Sequence, residues 1–246
     1  MTTVAHLSDL HFGTETPALV AGVHAALAAI APDLVVVSGD LTQRARRRQF
    51  IAARRFLDAL PAPWLAVPGN HDVPLWDLAR RVFSPLGRYR RFITEDMAPL
   101  VLLPGLRVLG LDSTRRKVVG RLLPERLEPI AGLLDGDPTD LRILVTHHPL
   151  VRKPLLGSEA ALAAAVRARV DVVLAGHFHH FHATEGDVLA LEAGSAISQR
   201  EPQQGFNVLR VEPAALSVES WTWDGHAFAP GDPRRFQRRN HSSTTQ

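Results

Sequence analysis

Apolar positions fall into short blocks along the chain, and their spacing predicts strands and helices in alternation. Residues 33–38 form an apolar run rich in β-branched side chains between Pro32 and Gly39, which is typical of a strand buried on both faces. Residues 17–30 place apolar side chains at helical spacing, and the arginine-rich segment 44–60 does the same.

The alternation continues to residue 175 and then gives way to strands alone. Strands are predicted at 4–8, 33–38, 64–67, 100–103, 106–111, 141–146 and 171–175. Helices are predicted at 17–30, 44–60, 74–96 with a break at 85–87, 124–134 and 158–169. Four consecutive strands are then predicted at 180–184, 188–192, 206–211 and 216–223. Alternating β and α segments followed by strands predict two packed sheets with helices on the outside.

The chain is predicted to form a single domain over residues 1–229. No linker rich in Pro, Gly or Ser divides it, and it contains no internal repeat at a period of about 20–50 residues. Residues 230–246 are polar and include four arginines, so we expect a mobile C-terminal tail outside the core.

Composition narrows the class of protein. Of the 246 residues, 46% are hydrophobic and 22% charged, which is ordinary globular composition and excludes a disordered chain. The sequence has no cysteine, which excludes disulfide scaffolds and thiolate metal sites. Its apolar runs are shorter than the roughly 18–20 residues of a membrane span, and its N-terminus lacks a secretory signal pattern. We therefore expect a cytoplasmic protein without an integral membrane segment. A net charge of +3 does not by itself argue for nucleic acid, which is not an expected partner.

Five short motifs rich in histidine and carboxylate follow predicted strands. They are Asp9-Leu10-His11, Gly39-Asp40, Gly69-Asn70-His71-Asp72, His147-His148-Pro149 and Gly176-His177-Phe178-His179. Several of them lie about 30 residues apart, which is the length of a strand, a crossover helix and the return to the next parallel strand. Because ligands bind at the carboxyl edge of such sheets, we expect these side chains to meet there.

The residue types in these motifs fit metal chemistry. Asp9 and His11 are two positions apart, as are His177 and His179, so in extended backbone each pair points to one side. Carboxylate, imidazole and amide oxygen without thiolate suit Mn, Fe, Zn or Co and fit Mg or Ca poorly. A carboxylate such as that of Asp40 can hold two cations about 3.5–4 Å apart.

In this order the motifs resemble those of the calcineurin-like metallophosphoesterase superfamily, D-x-H, G-D, G-N-H-D/E, H-x-P and G-H-x-H, over residues 1–212. The short length and the lack of an extra domain place the chain nearest the class III cyclic nucleotide phosphodiesterase type. The resemblance implies an α/β fold: a four-layer αββα sandwich of two mixed β-sheets flanked by helices.

The resemblance also implies roles for individual residues. It implies a first metal ion held by Asp9, His11, Asp40 and His179. It implies a second held by Asp40, Asn70, His147 and His177, with His147 preferred to His148 because the family histidine lies two before the proline. His71 would not bind metal but would contact the phosphate and protonate or stabilise the leaving oxygen. A hydroxide bridging the two ions would attack phosphorus in line.

The implied activity is metal-dependent hydrolysis of a small phosphate ester. The first expectation is a phosphodiester, such as a cyclic nucleotide or a glycerophosphodiester. Alternatives are a phosphomonoesterase or nucleotide pyrophosphohydrolase with the same centre, and a non-catalytic scaffold. A homodimer is possible. Many relatives read G-D-x-x-D where this chain has Gln43, so either Asp72 or a backbone carbonyl must orient His71.

Two other features have more than one reading. The arginines of 44–55 fit a solvated helix face or a basic rim that draws in an anionic substrate. The stretch 80–91, with its interleaved aromatic side chains, fits an exposed amphipathic hairpin or a face for an anionic membrane or nucleic acid. The histidines next to the motifs are read as partners of ligand imidazoles or as ordinary hydrogen-bonding groups; these are His148, His180 and His182.

Overall fold

Two β-sheets form the centre of the protein in a computed structural model that describes residues 1–114, 130–151, 157–199 and 203–238. The strands are β1 (Thr2–Leu7), β2 (Leu34–Val37), β3 (Trp64–Ala66), β4 (Leu100–Leu103), β5 (Leu106–Gly110), β6 (Leu141–Val145), β7 (Val172–Ala175), β8 (His182–Glu185), β9 (Leu189–Glu192), β10 (Gly205–Val211), β11 (Ala215–Trp223), β12 (Phe228–Pro230) and β13 (Arg234–Gln237). One sheet has the order β12-β11-β10-β1-β2-β3, with β13 also paired to β11, and the other has the order β4-β5-β6-β7-β9-β8. Both sheets are mixed, since β1-β2-β3 and β5-β6-β7-β9 are parallel and the outer pairs are antiparallel.

Helices cover the outer face of each sheet. They are α1 (Pro17–Ile30), α2 (Arg47–Asp58), α3 (Leu78–Phe83), α4 (Gly87–Phe92), α5 (Ile130–Leu134) and α6 (Ser158–Arg167), and a 3-10 turn spans Asn70–Asp72. Helix α2 buries Phe50, Phe56 and Leu57 against the first sheet, while its arginines lie mostly outside. Its first turn is fixed by Gln49, whose side-chain oxygen accepts hydrogen bonds from two preceding backbone amides.

Alternation along the strands builds four layers. In β2, Val35 and Val37 pack against α1 and α2, whereas Leu34 and Val36 face the other sheet. In β6, Leu144 packs outward against α5 and α6, while its neighbours face the space between the sheets. Each fully buried side chain of this kind contributes about 1.5–3 kcal/mol to stability. The expected αββα sandwich is confirmed.

Two expectations from the sequence need correction. The four final strands, predicted in succession, do not lie in one sheet, because β8 and β9 join the second sheet and β10 and β11 join the first beside β1. The tail does not begin at residue 230. Instead β13 pairs with β11 along its length, and Phe236 is buried between the sheets, so backbone pairing and one apolar side chain hold the segment in the fold. The predicted helix 124–134 is seen as α5, and its residues 124–129, like tail residues 239–246, lie outside the described residues.

Within the described ranges, no helix combines the length and apolar character needed to cross a bilayer.

His6 is a buried histidine in the middle of β1. Its Nε2 lies 2.9 Å from the hydroxyl of Ser38, and its Nδ1 has no hydrogen-bond partner among the residues described. Burial lowers the pKa of His6 to about 3, against a smaller raising effect of the Asp9 charge. The residue therefore stays neutral in the folded protein at every pH where the fold is expected to persist.

Replacing His6 by Asn should make the free energy of unfolding less dependent on pH. An unfolded histidine gains a proton near pH 6.5, whereas folded His6 does not until about pH 3. The unfolded state therefore binds more protons below pH 6.5, and this residue costs the wild type about 1.4 kcal/mol per pH unit as the pH falls. Urea titrations at pH 7, 6 and 5 measure the slope. An unchanged slope in His6→Asn, with the exposed His226→Asn as control, would contradict this account.

Candidate metal centre

The five motifs converge on one end of the sandwich, where the strands of both sheets terminate. Asp9 and Asp40 follow β1 and β2 of the first sheet, and the motif that contains Asn70 follows β3. His147 and His177 follow β6 and β7 of the second sheet. The sequence predicted convergence at the edge of a sheet, and the structure brings the motifs together from two sheets.

Backbone hydrogen bonds hold the motif loops to one another. The amide of Asp9 donates to the carbonyl of Gly39 at 3.0 Å, and the amide of His11 donates to the carbonyl of Asp40 at 2.9 Å. In the second sheet, the amide of Gly176 donates to the carbonyl of His147 at 3.1 Å and joins the loops after β6 and β7. The relative positions of the side chains are therefore set by main-chain contacts between strands.

A first group of potential ligand atoms comprises Asp9, His11, Asp40 and His179. One ligand atom from each lies within 4.8 Å of all the others. The Nε2 atoms of His11 and His179 are 3.1 Å apart, and Nε2 of His179 is 3.1 Å from Oδ1 of Asp9. Asp9, His11 and Asp40 are buried, so their ligand atoms face each other rather than solvent.

A second group lies on the other side of Asp40. Oδ2 of Asp40 is 3.4 Å from Nε2 of His147 and 3.8 Å from Nε2 of His11, so one oxygen faces both groups. The side-chain oxygen of Asn70 lies 3.1 Å from Nε2 of His147 and 3.0 Å from Nδ1 of His177. Nδ1 of His147 faces the carbonyl of Ser38 at 2.9 Å, so its proton belongs on Nδ1 and Nε2 points into the site.

Most of these residues adopt a backbone conformation that L-amino acids rarely occupy. Asp9, His11, Asp40, His177 and His179 have φ values between 49° and 75°. Non-glycine residues in the left-handed region cost about 1–2 kcal/mol each. Five of them at one site mean that the strand ends are held in strained turns that aim side chains inward. Sequence patterns carry no signal for this.

Glycines give the loops room to approach. Gly39 has φ of 102°, and a Cβ there would lie 2.5 Å from Nδ1 of His147. A Cβ on Gly69 would overlap the carboxylate of Asp40. Glycine is required at both positions because another motif's side chain occupies the space.

The titration behaviour of the site follows from two buried carboxylates. Burial raises the pKa of Asp9, but hydrogen bonds with His11 and His179 and the charge of His147 outweigh it, so its pKa lies well below the ordinary value. Burial raises the pKa of Asp40, but the charge and hydrogen bond of His147, together with the charge of His11, outweigh burial and leave that pKa lowered. Burial lowers the pKa of His147, but the charge and hydrogen bond of Asp40, together with the Asp9 charge, outweigh burial and raise the pKa to about 9.

His177 completes this balance. Burial and the neighbouring charge of His147 lower the pKa of His177 to about 4. Two carboxylates thus hold one proton on His147 and none on His177. Divalent cations would take over this compensation, and binding them would release the His147 proton.

His71 stands beside the first group without belonging to it. Its ring meets that of His11 edge-on, with centroids 4.8 Å apart, and its backbone amide donates to Oδ1 of Asp40 at 2.8 Å. Nδ1 of His71 lies 2.9 Å from the backbone carbonyl of Gln43. Of the two possible orienting groups, the structure therefore has the carbonyl, so the ring proton that faces it belongs on Nδ1.

The Asp72 carboxylate connects two motif loops and does not orient the His71 ring. Its carboxylate accepts hydrogen bonds from the amides of Leu41, Thr42 and Gly69 and from the hydroxyl of Thr42. Burial, with the neighbouring Asp40 charge, raises the pKa of Asp72 to about 6. Asp72 thus ties the loop after β2 to the loop after β3, and with them Asp40 to Asn70.

The histidines next to the motifs divide into one near neighbour and two outer residues. His148 is buried, its Nδ1 lies 2.9 Å from the Ser113 hydroxyl, and one of its ring nitrogens falls within 4.8 Å of those of His147 and His177. The sequence reasoning did not propose it as a ligand, although its place in the His-His-Pro motif was the available signal. His180 is exposed, with Nδ1 near the carbonyl of Phe178, and His182 begins β8.

The donors at this end of the sandwich fit divalent metal ions. Imidazole, carboxylate and amide oxygen converge in two groups, and one oxygen of Asp40 lies between them. Every candidate ligand from the sequence lies in one of the two groups, and ligation itself stays a prediction.

Comparisons with known proteins agree with this geometry. A family model described as calcineurin-like phosphoesterase matches residues 2–181. A probable cyclic nucleotide phosphodiesterase from Synechococcus sp. is 29% identical over 195 residues, covering 72% of each chain. A probable glycerophosphodiester phosphodiesterase from Arcobacter nitrofigilis is 27% identical over 212 residues, covering 78% of this chain and 74% of that one.

Solved structures share the fold at low identity. A dimetal phosphatase from Danio rerio superposes with a TM-score of 0.72 at 15% identity, over 97% of this chain and 99% of that one. A purple acid phosphatase from yellow lupin gives 0.71 at 14% identity, over 96% of this chain and 53% of that one. At these identities the likeness establishes the architecture alone.

Asp40→Ala should lose both metal ions, because the same carboxylate faces both groups of donors. After loading with Mn²⁺ and desalting, we expect about two ions per wild-type chain and almost none in the variant, by elemental analysis. Asp58→Ala, at an exposed carboxylate paired with Arg54, is the control and should keep both. Retention of two ions by a folded Asp40→Ala protein would contradict the shared role.

Proposed function

Because this chain belongs to the calcineurin-like phosphoesterase family, we propose that it hydrolyses a small phosphodiester at a dinuclear centre. The observation that carries the proposal is the position of Asp40, whose Oδ2 faces His11 in one group of donors and His147 in the other. We propose Asp9, His11, Asp40 and His179 as ligands of one ion and Asp40, Asn70, His147 and His177 as ligands of the other. Bound divalent ions would supply a water of lowered pKa and neutralise charge on the phosphate oxygens.

Diesterase activity is supported by the names of relatives. Two relatives that align with more than two thirds of this chain are named as probable phosphodiesterases, one for cyclic nucleotides and one for glycerophosphodiesters. We propose a substrate from these two classes. The complete set of donors in both groups argues against a scaffold that has lost its metal ions.

His71 is proposed to protonate the leaving oxygen. The Gln43 carbonyl holds a proton on Nδ1 of the ring, so Nε2 can carry the second proton of the imidazolium and give it up when the P–O bond breaks. This contact orients the ring, and the backbone amide of the same residue is held by Oδ1 of Asp40. A fixed donor next to the phosphate gives the proton transfer its geometry.

A small cavity adjoins His71 and can accept part of the substrate. It has a volume of about 140 Å³. Arg44 and Arg81 contribute positive charge to its wall, and Val73 and Leu75 contribute apolar surface. The charge favours an anionic ester, and the volume favours a small group.

Substrate class can be tested with two chromogenic esters. We expect Mn²⁺-loaded protein to hydrolyse bis(4-nitrophenyl) phosphate, with kcat/KM at least about tenfold above that for 4-nitrophenyl phosphate, because the cavity beside His71 can contact the second ester group, which the monoester lacks. Release of 4-nitrophenolate measures both. Turnover of the monoester alone would contradict the diesterase proposal and favour a phosphomonoesterase with the same centre.

His71→Ala should lower kcat by roughly 10²–10⁴ while both metal ions are retained, because the ring donates a proton but does not ligate. The loss should be smaller for esters whose leaving group is more acidic, since these need less protonation. Elemental analysis and a series of aryl diesters measure the two properties. His226→Ala, at an exposed histidine in the turn before β12, is the control. Metal loss in His71→Ala would show a ligand role and overturn the assignment.

A further inference from the structure

An unusual concentration of exposed apolar side chains lies between the 3-10 turn and α4. Nine large hydrophobic residues are exposed in the described part of the chain, and five of them fall within residues 75–83. Trp76 is 82% exposed and Phe83 is 87% exposed. Helix α3, which contributes three of the five, buries none of its residues. The five are Leu75, Trp76, Leu78, Val82 and Phe83.

The same region carries most of the surplus positive charge of the protein. Residues 44–48 and 75–92, here called the docking face, contain nine arginines and one acidic residue, Asp77. That aspartate is paired with Arg80 at 2.9 Å. Because the whole chain has a net charge of only +3, the rest of the protein is net negative. Charge is therefore segregated onto the docking face.

The two segments form one continuous surface. Arg88 donates to the backbone carbonyl of Ala45 at 2.8 Å, and Arg47 and Arg91 both lie over the ring of Phe92. Arg44, Leu75 and Arg81 line the cavity beside His71, which connects the docking face to the metal centre.

We propose that the docking face binds the surface of an anionic lipid bilayer. Exposed tryptophan, phenylalanine and aliphatic side chains surrounded by arginine are the combination that lies at the boundary between headgroups and acyl chains. Each arginine near an anionic leaflet adds about fivefold to binding. The inference does not depend on the substrate proposed above.

Other occupants fit this face less well. A second copy in a symmetric dimer would bring the patch against itself and place arginines against arginines. Single-stranded nucleic acid would find charge and two aromatic rings, but it would leave Leu78 and Val82 exposed. An anionic bilayer covers the apolar side chains and compensates the charge at once.

Docking has a geometric consequence for the active site. Leu75 and Arg81 belong both to the docking face and to the cavity beside His71. A bilayer against this face would therefore set the mouth of that cavity near the level of the headgroups.

Vesicle sedimentation tests the proposal with the full chain. We expect binding to vesicles of equal phosphatidylglycerol and phosphatidylcholine, no detectable binding to phosphatidylcholine alone, and weaker binding at high salt. The double variant Trp76→Ser/Phe83→Ser should bind at least about tenfold more weakly. Its matched control, Leu102→Ser/Val166→Ser, changes two exposed apolar side chains of β4 and α6, away from the docking face, and should bind as the wild type does.

The arginines can be tested separately from the apolar side chains. Arg47→Ala and Arg91→Ala should each lower vesicle binding about fivefold. In the combined variant Arg47→Ala/Arg91→Ala, binding should depend less steeply on salt concentration than in the wild type. Circular dichroism of each variant verifies the fold. Unchanged binding in both the apolar and the arginine variants, with folds intact, would overturn the proposal.

Insertion of Trp76 can be detected directly. Brominated phosphatidylglycerol should quench tryptophan fluorescence of the wild type, and Trp76→Phe should remove most of the quenching while it retains binding. The proposal is overturned if vesicles bind without quenching, if both lipid mixtures bind equally, or if no vesicle binds. Binding of oligonucleotide in place of vesicles, or a salt-stable dimer that buries Trp76, would also overturn it and assign the face to that partner.

Discussion

Two buried carboxylates at the end of a sandwich, Asp9 and Asp40, are the constraint on which this structure depends. A buried charge is costly unless opposite charge compensates it nearby. The fold supplies imidazoles from both sheets, and in their company one proton is held on His147. Such an arrangement is a poor way to gain stability and a good way to bind cations, since a divalent ion compensates the same charge more completely.

The strained backbone around these residues supports the same interpretation. Five potential ligands with positive φ together destabilise the fold by several kcal/mol. Stability alone does not explain why this strain is concentrated at one site. The cost is offset by well-packed layers on either side of both sheets and by Asp72, which accepts four hydrogen bonds and ties two motif loops together. The packed layers therefore supply the stability of the fold, and they offset the cost of the strained backbone at the end of the sandwich that carries the candidate ligands.

The sequence predicted the architecture well because its signals are local. Pro17 marks the start of α1, and the uninterrupted apolar run of β2 reflects burial on both faces. What the sequence missed depends on contacts between distant segments. β13 is held by its pairing with β11 as well as by the burial of Phe236, and no residue type reveals that the backbone carbonyl beside His71 is that of Gln43. The candidate ligand set was available from motif spacing, whereas the backbone conformation that aims the ligands was not.

The central claim is that two cations share Asp40, and anomalous diffraction from crystals of the Mn²⁺-loaded protein tests it most directly. The account predicts two anomalous peaks about 3.5–4 Å apart on either side of the Asp40 carboxylate. One peak should be in contact with Asp9, His11 and His179, and the other with Asn70, His147 and His177. A single peak, or two peaks that do not share Asp40, would contradict it.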